Sequence, residues 1–318
     1  MNKFKIGDFS NITSTEAEID DSVIIGKNVQ INCDYIKLGK NCVIGNNVSI
    51  TCKRLEVGDW LYMTGGVEIG RGGCMSPDSI VKIGNNVGIF EKTIINPSSK
   101  VEIGDNVGIG AEVMIWTHGA WLNPLQGYPT DFGPVTIGNN VWLPARSIVL
   151  PNVTIGDDTV IGIGSVVNRD IPSGSLAAGA PCKVIKENQY PMELDNHQKD
   201  QIVWQIVRYW QSSLEHKGID NISTDYEGGK IRIKRKEDKL KITCIDVFEK
   251  YVAGYQDDIS EDLRDFLRRF GIKIYTDRHF KSIPIKEFQS ETESFVIMDE
   301  INETSGSWNN GWKPGDED

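Results

Sequence analysis

The sequence has few histidines and cysteines, and neither residue type occurs at the spacing of zinc ligands. The 318 residues include four histidines and six cysteines, with no C-x-x-C pair. Structural zinc sites use ligands in short, paired spacings, so we expect no metal. Cys33 and Cys52 occupy equivalent positions of the repeat described below, so they could stack and cross-link, although reduced, packed thiols are favoured in a cytosolic chain.

Long apolar runs and excess positive charge are also missing. No stretch of about 18 apolar residues occurs, and the opening MNKFKIGDF lacks the apolar core of a signal peptide. The formal net charge of −11 disfavours binding to nucleic acid or to an anionic membrane surface. We therefore expect a cytoplasmic protein that does not insert into a membrane.

What the sequence does contain is an aliphatic residue, once a methionine, that recurs every six residues with occasional breaks. This spacing is neither that of a helix nor a simple strand alternation, and it is typical of a parallel β-helix. The positions are Ile25, Ile31, Leu38, Ile44, Ile50, Val57, Met63, Ile69, Ile83, Ile89, Ile95, Ile103, Ile109, Ile115, Ile137, Leu143, Val149, Ile155, Ile161 and Val167.

Such hexapeptides form short strands joined by turns, three to a coil, and these positions predict about six to seven coils. Gly and Asn tolerate the turn dihedrals. We expect small inward residues near the corners, namely Val107, Val113, Ser147, Thr159 and Ser165.

The breaks in the repeat all fall at one corner. We call the three faces A, B and C, with Ile25 on face A, so that the extra residues follow Ile31, Ile50, Ile69, Ile95 and Ile115, which are all on face B. Two insertions are long, at 70–80 and 116–134. Insertions on one side of a solenoid usually mark its working surface, and neutral loop variation is the alternative.

The chain is long enough for more than one domain. We predict a β-helix domain over 1–186, with 1–24 as a lead-in and 168–186 as a closing loop; a capping or linking helix over 187–218; and a small α+β domain over 219–318. In that last domain we predict strands at KIRIKRK, KLKITCIDV and IKIY and a helix over 260–270. From Glu287 onwards there are nine acidic residues and one lysine, which predicts a solvated tail.

The longest insertion carries the only histidine of the repeat region, His118, three residues after Ile115. An imidazole can accept a proton from a hydroxyl near neutral pH and pass it to a leaving group. A surface histidine without a role is the alternative. Asp131 is the only carboxylate of the loop, and a carbonyl could orient the ring instead.

The segment IGNNVWLPARSIVLPNVTIGDDTVIGIGSVVNRDIPSGSLAAGAPCKVIK, residues 137–186, resembles the last coils of the hexapeptide-repeat acyltransferases. It is most similar to the galactoside, maltose, xenobiotic and surface-polysaccharide O-acetyltransferases. With the upstream repeats, the resemblance covers about residues 20–186. It implies a left-handed parallel β-helix, a homotrimer with sites between neighbouring solenoids, and acetyl-CoA as the co-substrate.

The resemblance also implies roles for individual residues. His118 would be the general base. Acetyl-CoA would contact Trp142, Ala145, Gly162, Ile163, Asn168 and Arg169, with Lys183 and Lys186 meeting its phosphates. The carbohydrate acceptor would enter at the corner between faces B and C, where the polar and aromatic candidates are Asn96, Trp116, Trp121, Asn123, Gln126 and Tyr128.

Three functions remain open at this point. The first is an O-acetyltransferase that acts on a surface polysaccharide or its precursor. The second is an N-acyltransferase that acts on a nucleotide-linked amino sugar, for which base catalysis matters less. The third is a non-catalytic scaffold or a carbonic-anhydrase-like solenoid, and the single histidine of the repeats disfavours the latter.

Overall fold

The computed structural model describes residues 4–70, 76–276 and 279. The chain divides into two units, of which the first runs to Leu194 and the second begins at Asp195. The first unit is a solenoid of short strands, and the second combines two helices with a small sheet. The predicted acidic tail lies outside the described residues.

The first coils of the solenoid pair in parallel, each strand with its counterpart one coil on. Their strands are β1 (Lys5–Ile6), β2 (Asn11–Ile19), β3 (Ile24–Ile25), β4 (Gln30–Leu38), β5 (Val43–Ile44), β6 (Ser49–Val57), β7 (Tyr62–Met63) and β8 (Glu68–Ile69).

The later coils continue this stacking and end in an antiparallel hairpin. Their strands are β9 (Ile80–Ile83), β10 (Gly88–Ile89), β11 (Ile94–Asn96), β12 (Val101–Ile103), β13 (Gly108–Ile109), β14 (Met114–Trp116), β15 (His118–Gly119), β16 (Asp131–Phe132), β17 (Val135–Ile137), β18 (Trp142–Leu143), β19 (Ile148–Val149), β20 (Thr154–Ile155), β21 (Val160–Ile161), β22 (Val166–Val167), β23 (Leu176–Gly179) and β24 (Cys182–Lys186).

The solenoid is longer than the repeat predicted. Face A carries nine parallel strands, from β1 to β23, rather than about six to seven. The extra coils come from residues that we had assigned to the lead-in and to the closing loop. Residues 11–19 pair in register with 30–38, and Val160 and Ile161 pair with Leu176 and Ala177. Irregular sequence can therefore continue the ladder, because backbone hydrogen bonds do not require an aliphatic side chain at every position.

The predicted core positions are confirmed. All twenty repeat residues are at most 3% exposed. Burying each aliphatic side chain contributes about 1.5–3 kcal/mol relative to leaving it in water. The small residues near the corners are also buried, including the hydroxyls of Ser147, Thr159 and Ser165. The hydroxyls of Ser147 and Ser165 donate to the carbonyls of Pro144 and Gly162, so these buried polar groups are satisfied.

The corner between faces C and A is held by a ladder of Asp and Asn side chains. The Oδ1 of Asp105 accepts the backbone N–H of Asn85 at 2.6 Å, and the Oδ1 of Asn139 accepts that of Asp105 at 2.8 Å. Asp157 repeats the contact with the backbone N–H of Asn139 at 2.6 Å. Asn140, one residue further on, has a φ of 55°. The polar residues after each aliphatic position thus bond one coil to the next, besides tolerating the turn.

At the corner between faces B and C, the shortest insertions stay within the strands, whereas the longest one leaves the solenoid. In β4 and β6 the single extra residue is absorbed into a nine-residue strand that runs across the corner. The insertion after Ile115 leaves the solenoid: β15 pairs antiparallel with β16, and a short 3₁₀ helix, Pro124–Gln126, lies between them. A single extra residue is therefore accommodated without breaking the ladder.

The second unit is a four-stranded antiparallel sheet with two helices. Its elements are α1 (Asn196–His216), β25 (Ile222–Glu227), β26 (Lys230–Arg235), β27 (Ile242–Asp246), β28 (Tyr251–Gly254) and α2 (Asp258–Arg269). Capping boxes begin both helices, at Asp195 and Asp257. The strand predicted at IKIY is wrong: residues 272–275 form no strand and instead contribute Ile274 to the core.

The apolar face of α1 packs within the second unit. Val203, Ile206 and Trp210 share a core with Ile231 and Ile245 of the sheet. The capping role that we predict for this helix stays a prediction, and along the chain the last coil is followed by the β23–β24 hairpin of the first unit. Trp204 of the same helix is half-exposed, and the guanidinium of Arg208 lies over its ring.

Candidate active site

His118 lies where the longest insertion leaves the solenoid. The preceding strand β14 pairs in parallel with β11, so Asn96 stands directly beside Trp116 in the ladder. This register places the end of β11 next to the start of the insertion. His118 is partly buried, and its ring stacks on Phe132, its cross-strand partner, with centroids 5.6 Å apart and planes at 24°. Trp116 meets the imidazole edge-on at 6.0 Å.

The imidazole is bonded through Nδ1. The Oδ1 of Asn96 lies 2.7 Å from Nδ1, and the Oγ of Ser98 lies 3.0 Å from the same atom. Thr117, the neighbour of His118, is fully buried and donates to the carbonyl of Asn96 at 2.7 Å. Thr117 also accepts the backbone N–H of Ser99 at 2.9 Å. Two insertions on adjacent coils are thus tied together around one histidine.

The loop carboxylate has a different partner. Oδ1 of Asp131 accepts a hydrogen bond from Nδ2 of Asn152 at 2.6 Å, which attaches the returning arm of the loop to the next coil. Among the residues that the structure describes, the amide of Asn96 and the hydroxyl of Ser98 contact Nδ1 of the imidazole, and Asp131 does not. The sequence analysis left Asp131 or a carbonyl as the orienting group, whereas the side-chain oxygens of Asn96 and Ser98 lie at Nδ1.

Asn96 does not suit the acceptor contact that we predicted for it. Its side chain is fully buried and joins His118 to the carbonyl of Gly70. Because the side chain is closed to solvent, direct contact with a sugar hydroxyl is disfavoured, and an acceptor role for Asn96 stays a prediction.

The other acceptor candidates lie on or beside the insertion. Trp116 adjoins His118 as described. Asn123 caps the 3₁₀ helix through its Oδ1, which accepts the N–H of Leu125 at 2.9 Å. Trp121 is 96% exposed, and Tyr128 is 46% exposed, so both rings are open to a ligand or to another chain. Gln126 ends the 3₁₀ helix.

The residues predicted to hold acetyl-CoA fall into three groups on the last coils. The first group lies on face A and at its corner with face B, and it consists of Trp142, Ala145, Gly162 and Ile163. Trp142 pairs with Val160 in the face A sheet. At the corner, the N–H of Gly164 donates to the carbonyl of Ala145 at 3.1 Å. Trp142 is 56% exposed and Ile163 is 73% exposed. The structure therefore brings four of the predicted contacts to one edge of the solenoid.

The remaining predicted contacts are basic or polar and exposed. Asn168 and Arg169 follow β22 on face B, at the corner where the insertions occur. Lys183 and Lys186 lie in β24, opposite Ala178 and Leu176 of the face A sheet. Asn168 and Arg169 thus lie at the corner between faces B and C, whereas Lys183 and Lys186 lie in the last strand of the face A sheet.

Sequence reasoning missed three contributors, Ser98, Thr117 and Phe132. Ser98 belongs to the shorter insertion on the coil beside that of His118, and two insertions at one corner of adjacent coils must meet. That signal was available in the spacing. Phe132 becomes a neighbour of His118 only through antiparallel pairing inside the loop, for which the sequence offers no pattern.

One ion pair joins adjacent coils at the corner between faces A and B. Arg146 donates to Glu112 at 2.7 Å and holds the pKa of that carboxyl below its usual value. Within the ranges 4–70, 76–276 and 279, no group of three or more His, Cys, Asp or Glu side chains could hold a metal ion. Across the same residues, no helix is long and apolar enough to cross a membrane.

The first unit is a solenoid of hexapeptide coils, and the partly buried His118 makes the corner between its faces B and C the candidate active site. Residues 134–169 match the family described as bacterial transferase hexapeptide (six repeats), and residues 16–52 match the hexapeptide repeat of succinyl-transferase. The chain belongs to the hexapeptide-repeat acyltransferase family, and its coils form a left-handed parallel β-helix.

The similarity to individual curated relatives covers a short part of the chain. Galactoside O-acetyltransferase of Escherichia coli (strain K12) is 57% identical over 54 residues, which are 17% of this chain and 27% of that protein. This chain therefore spans about a quarter of the length of that curated relative.

Among solved structures, a maltose O-acetyltransferase from Clostridium difficile 630 is 34% identical, covers 40% of this chain and 66% of its own, and has a TM-score of 0.34. A galactoside acetyltransferase in complex with coenzyme A is 33% identical, covers 43% of this chain and 70% of its own, and has a TM-score of 0.30. These superpositions are too poor to carry an argument about the site.

Proposed function

We propose that this protein is an acetyl-CoA-dependent O-acetyltransferase that acts on a hydroxyl of a carbohydrate, a surface polysaccharide or its precursor, with His118 as the general base. The observation that carries the proposal is the imidazole itself. It is partly buried at the corner of the insertions, held through Nδ1, and flanked by aromatic rings. Membership of the acyltransferase family supports the reaction class.

The residues of this chain suit that chemistry. A sugar hydroxyl is a poor nucleophile towards a thioester until its proton is removed, and an imidazole near neutral pH can accept that proton as the C–O bond forms. The same imidazolium can then protonate the departing thiolate of CoA. Base catalysis of this kind contributes roughly 10²- to 10⁴-fold.

Binding of acetyl-CoA is proposed for the edge formed by Trp142, Ala145, Gly162 and Ile163, with Lys183 and Lys186 near the end of face A. The backbone groups at this edge can hold the pantetheine arm, while lysine provides a point charge for phosphate. Asn168 and Arg169, at the other corner, would meet the cofactor of a neighbouring copy in the homotrimer that we propose.

The acceptor is proposed to enter beside Trp116, with Trp121, Asn123 and Tyr128 of the loop as contacts. Aromatic faces stack against the apolar face of a sugar ring, and amides bond its hydroxyls. The half-exposed and exposed rings of the loop support this proposal. Location in the cytoplasm also remains a proposal.

The test is release of CoA from acetyl-CoA in the presence of a panel of oligosaccharides, followed by identification of the acetylated position. We expect His118→Ala to lower kcat by at least about 100-fold. His197→Ala is the matched control, because His197 is exposed on the first turn of α1, and it should keep normal turnover.

Two outcomes would redirect the proposal. A loss much below about tenfold in His118→Ala, together with acetylation of amino sugars, would favour the N-acyltransferase. If CoA at millimolar concentration fails to raise the melting temperature of the protein, the molecule does not bind the cofactor, and a non-catalytic role follows.

A further inference from the structure

Two contacts of the Asn96 side chain bear on which imidazole nitrogen carries the proton. Nδ2 of Asn96 donates to the carbonyl of Gly70 at 3.0 Å, which turns the amide oxygen towards His118. Oδ1 then lies 2.7 Å from Nδ1 of the imidazole. An amide oxygen only accepts hydrogen bonds, so the short contact requires a proton on Nδ1.

A neutral imidazole with its proton on Nδ1 has its lone pair on Nε2. The partner of one ring nitrogen thus sets the chemical character of the other. Ser98 Oγ, at 3.0 Å, is a second acceptor available to the same N–H. The free lone pair on Nε2 is what a general base needs, and it faces away from the nitrogen that the protein holds.

Asn96 is itself held rigidly. The side chain is fully buried, and its backbone carbonyl accepts from Thr117, the residue before His118. Thr117 also receives the N–H of Ser99, so the chain on both sides of the contact is fixed. The imidazole ring of His118 stacks on Phe132, which limits rotation about the side-chain bonds of His118.

We propose that Asn96 is a positioning residue for the reaction, which holds His118 in the Nδ1–H tautomer and fixes the direction of the Nε2 lone pair. The expected effect of Asn96 on turnover rests on the proposed function, whereas the tautomer of His118 does not. A neutral orienting group leaves the imidazolium, once formed, without a carboxylate to stabilise it, so the proton is easily passed on to the departing thiolate.

The first experiment needs no variant. Long-range ¹H–¹⁵N spectra of the full protein labelled at histidine nitrogens distinguish the two neutral tautomers, and the spectrum of His118→Ala identifies the signals of His118. We expect a protonated Nδ1 and an unprotonated Nε2 at high pH. A proton on Nε2 in the native protein would overturn the proposal, whether or not acetyl transfer is observed.

The second experiment separates positioning from direct contact with the acceptor. We expect Asn96→Leu to lower kcat by about 10- to 100-fold, as loss of an orienting partner does, with little change in the KM for acetyl-CoA. Placed in the His118→Ala background, Asn96→Leu should cause no further loss. An additional loss there, with a raised KM for the acceptor, would mean that Asn96 binds the acceptor.

The third variant, Asn96→Asp, keeps an acceptor oxygen at Nδ1 and adds a negative charge. We expect it to recover much of the turnover lost in Asn96→Leu, and to move the acid limb of the kcat/KM profile to higher pH, because the carboxylate favours imidazolium. A profile identical to that of the native protein would contradict the assigned contact. Native-like circular dichroism of each variant is the condition for reading these rates.

Discussion

The Sγ atoms of Cys33 and Cys52 lie 3.5 Å apart on adjacent coils, and the two residues are directly paired in the ladder. Both thiols are buried and reduced. The predicted stacking is confirmed, and so is the prediction of packed free thiols. The contact lowers the pKa of Cys33, whose thiolate would accept the Cys52 S–H, and raises that of Cys52.

We expect diamide, which accepts two hydrogens, to convert these thiols into a disulfide. Intact mass should fall by two hydrogens, and two thiols should be lost from a titration in denaturant. The bond would close a short loop and stabilise the fold by up to about 3 kcal/mol in the chain-entropy model. Cys33→Ser is the control, and an unchanged thiol count in the native protein would contradict the expected reactivity.

The solenoid should lose stability in alkali because of Cys42. Burial raises the pKa of its thiol to about 11, from an ordinary value of 9.0 that the unfolded chain keeps. The stabilisation is complete below pH 9.0 and is lost as the pH rises towards about 11, since the unfolded chain ionises first. Denaturant unfolding between these limits should show a decline of order 2 kcal/mol.

The matched variant for this prediction is Cys42→Ala, which removes the titrating thiol. Its free energy of unfolding should be lower than that of the native protein at pH 8 but fall less steeply in alkali. If the free energy of unfolding falls equally steeply with pH in both proteins, the alkaline loss belongs to other groups. Tyr226 is one such group, because burial also raises its pKa.

The Asp and Asn ladder predicts a difference between two substitutions at Asp105. Its Oδ1 accepts the backbone N–H of Asn85 at 2.6 Å, while Asn139 does the same for Asp105. Asp105→Asn keeps an acceptor of the same shape and should be close to neutral. Asp105→Ala removes it and should cost about 1 kcal/mol. Equal thermal midpoints for the two variants would show that the ladder adds no stability.

In the second unit, Asp262 connects the two helices. Its carboxylate accepts from Nε1 of Trp210 and from Nζ of Lys217, both at 2.9 Å. Lys217 and Asp262 are 9% and 2% exposed, so Asp262→Ala would leave a buried charge and an indole N–H unpaired. We expect a loss of about 3–5 kcal/mol.

Hydrogen exchange of the α2 amides measures this loss within the second unit, independently of the solenoid. Asp220→Ala is the control, because Asp220 is exposed and should change exchange by less than about 0.5 kcal/mol. If both variants behave alike, the buried pair contributes little to holding the helices together.

Much of the solenoid could be predicted because its information is local. Each aliphatic position repeats the same environment, so spacing alone identified the twenty core residues and the corner of the insertions. The candidate base followed from the same layout, since His118 is the only histidine between Ile25 and Val167. The small unit was harder, because an apolar helix face does not say which surface it covers.

The sequence by itself determined a β-helix of hexapeptide coils, its core, its polar turns and the histidine of its longest insertion, because a short repeat encodes its own neighbours. Only the tertiary structure decided that Asn96 contacts the imidazole, that Ser98 and Phe132 join it, and that α1 packs on the small sheet. Those contacts join residues that are distant in the sequence through strand register and loop pairing, and side-chain direction at a strand end depends on packing rather than on spacing.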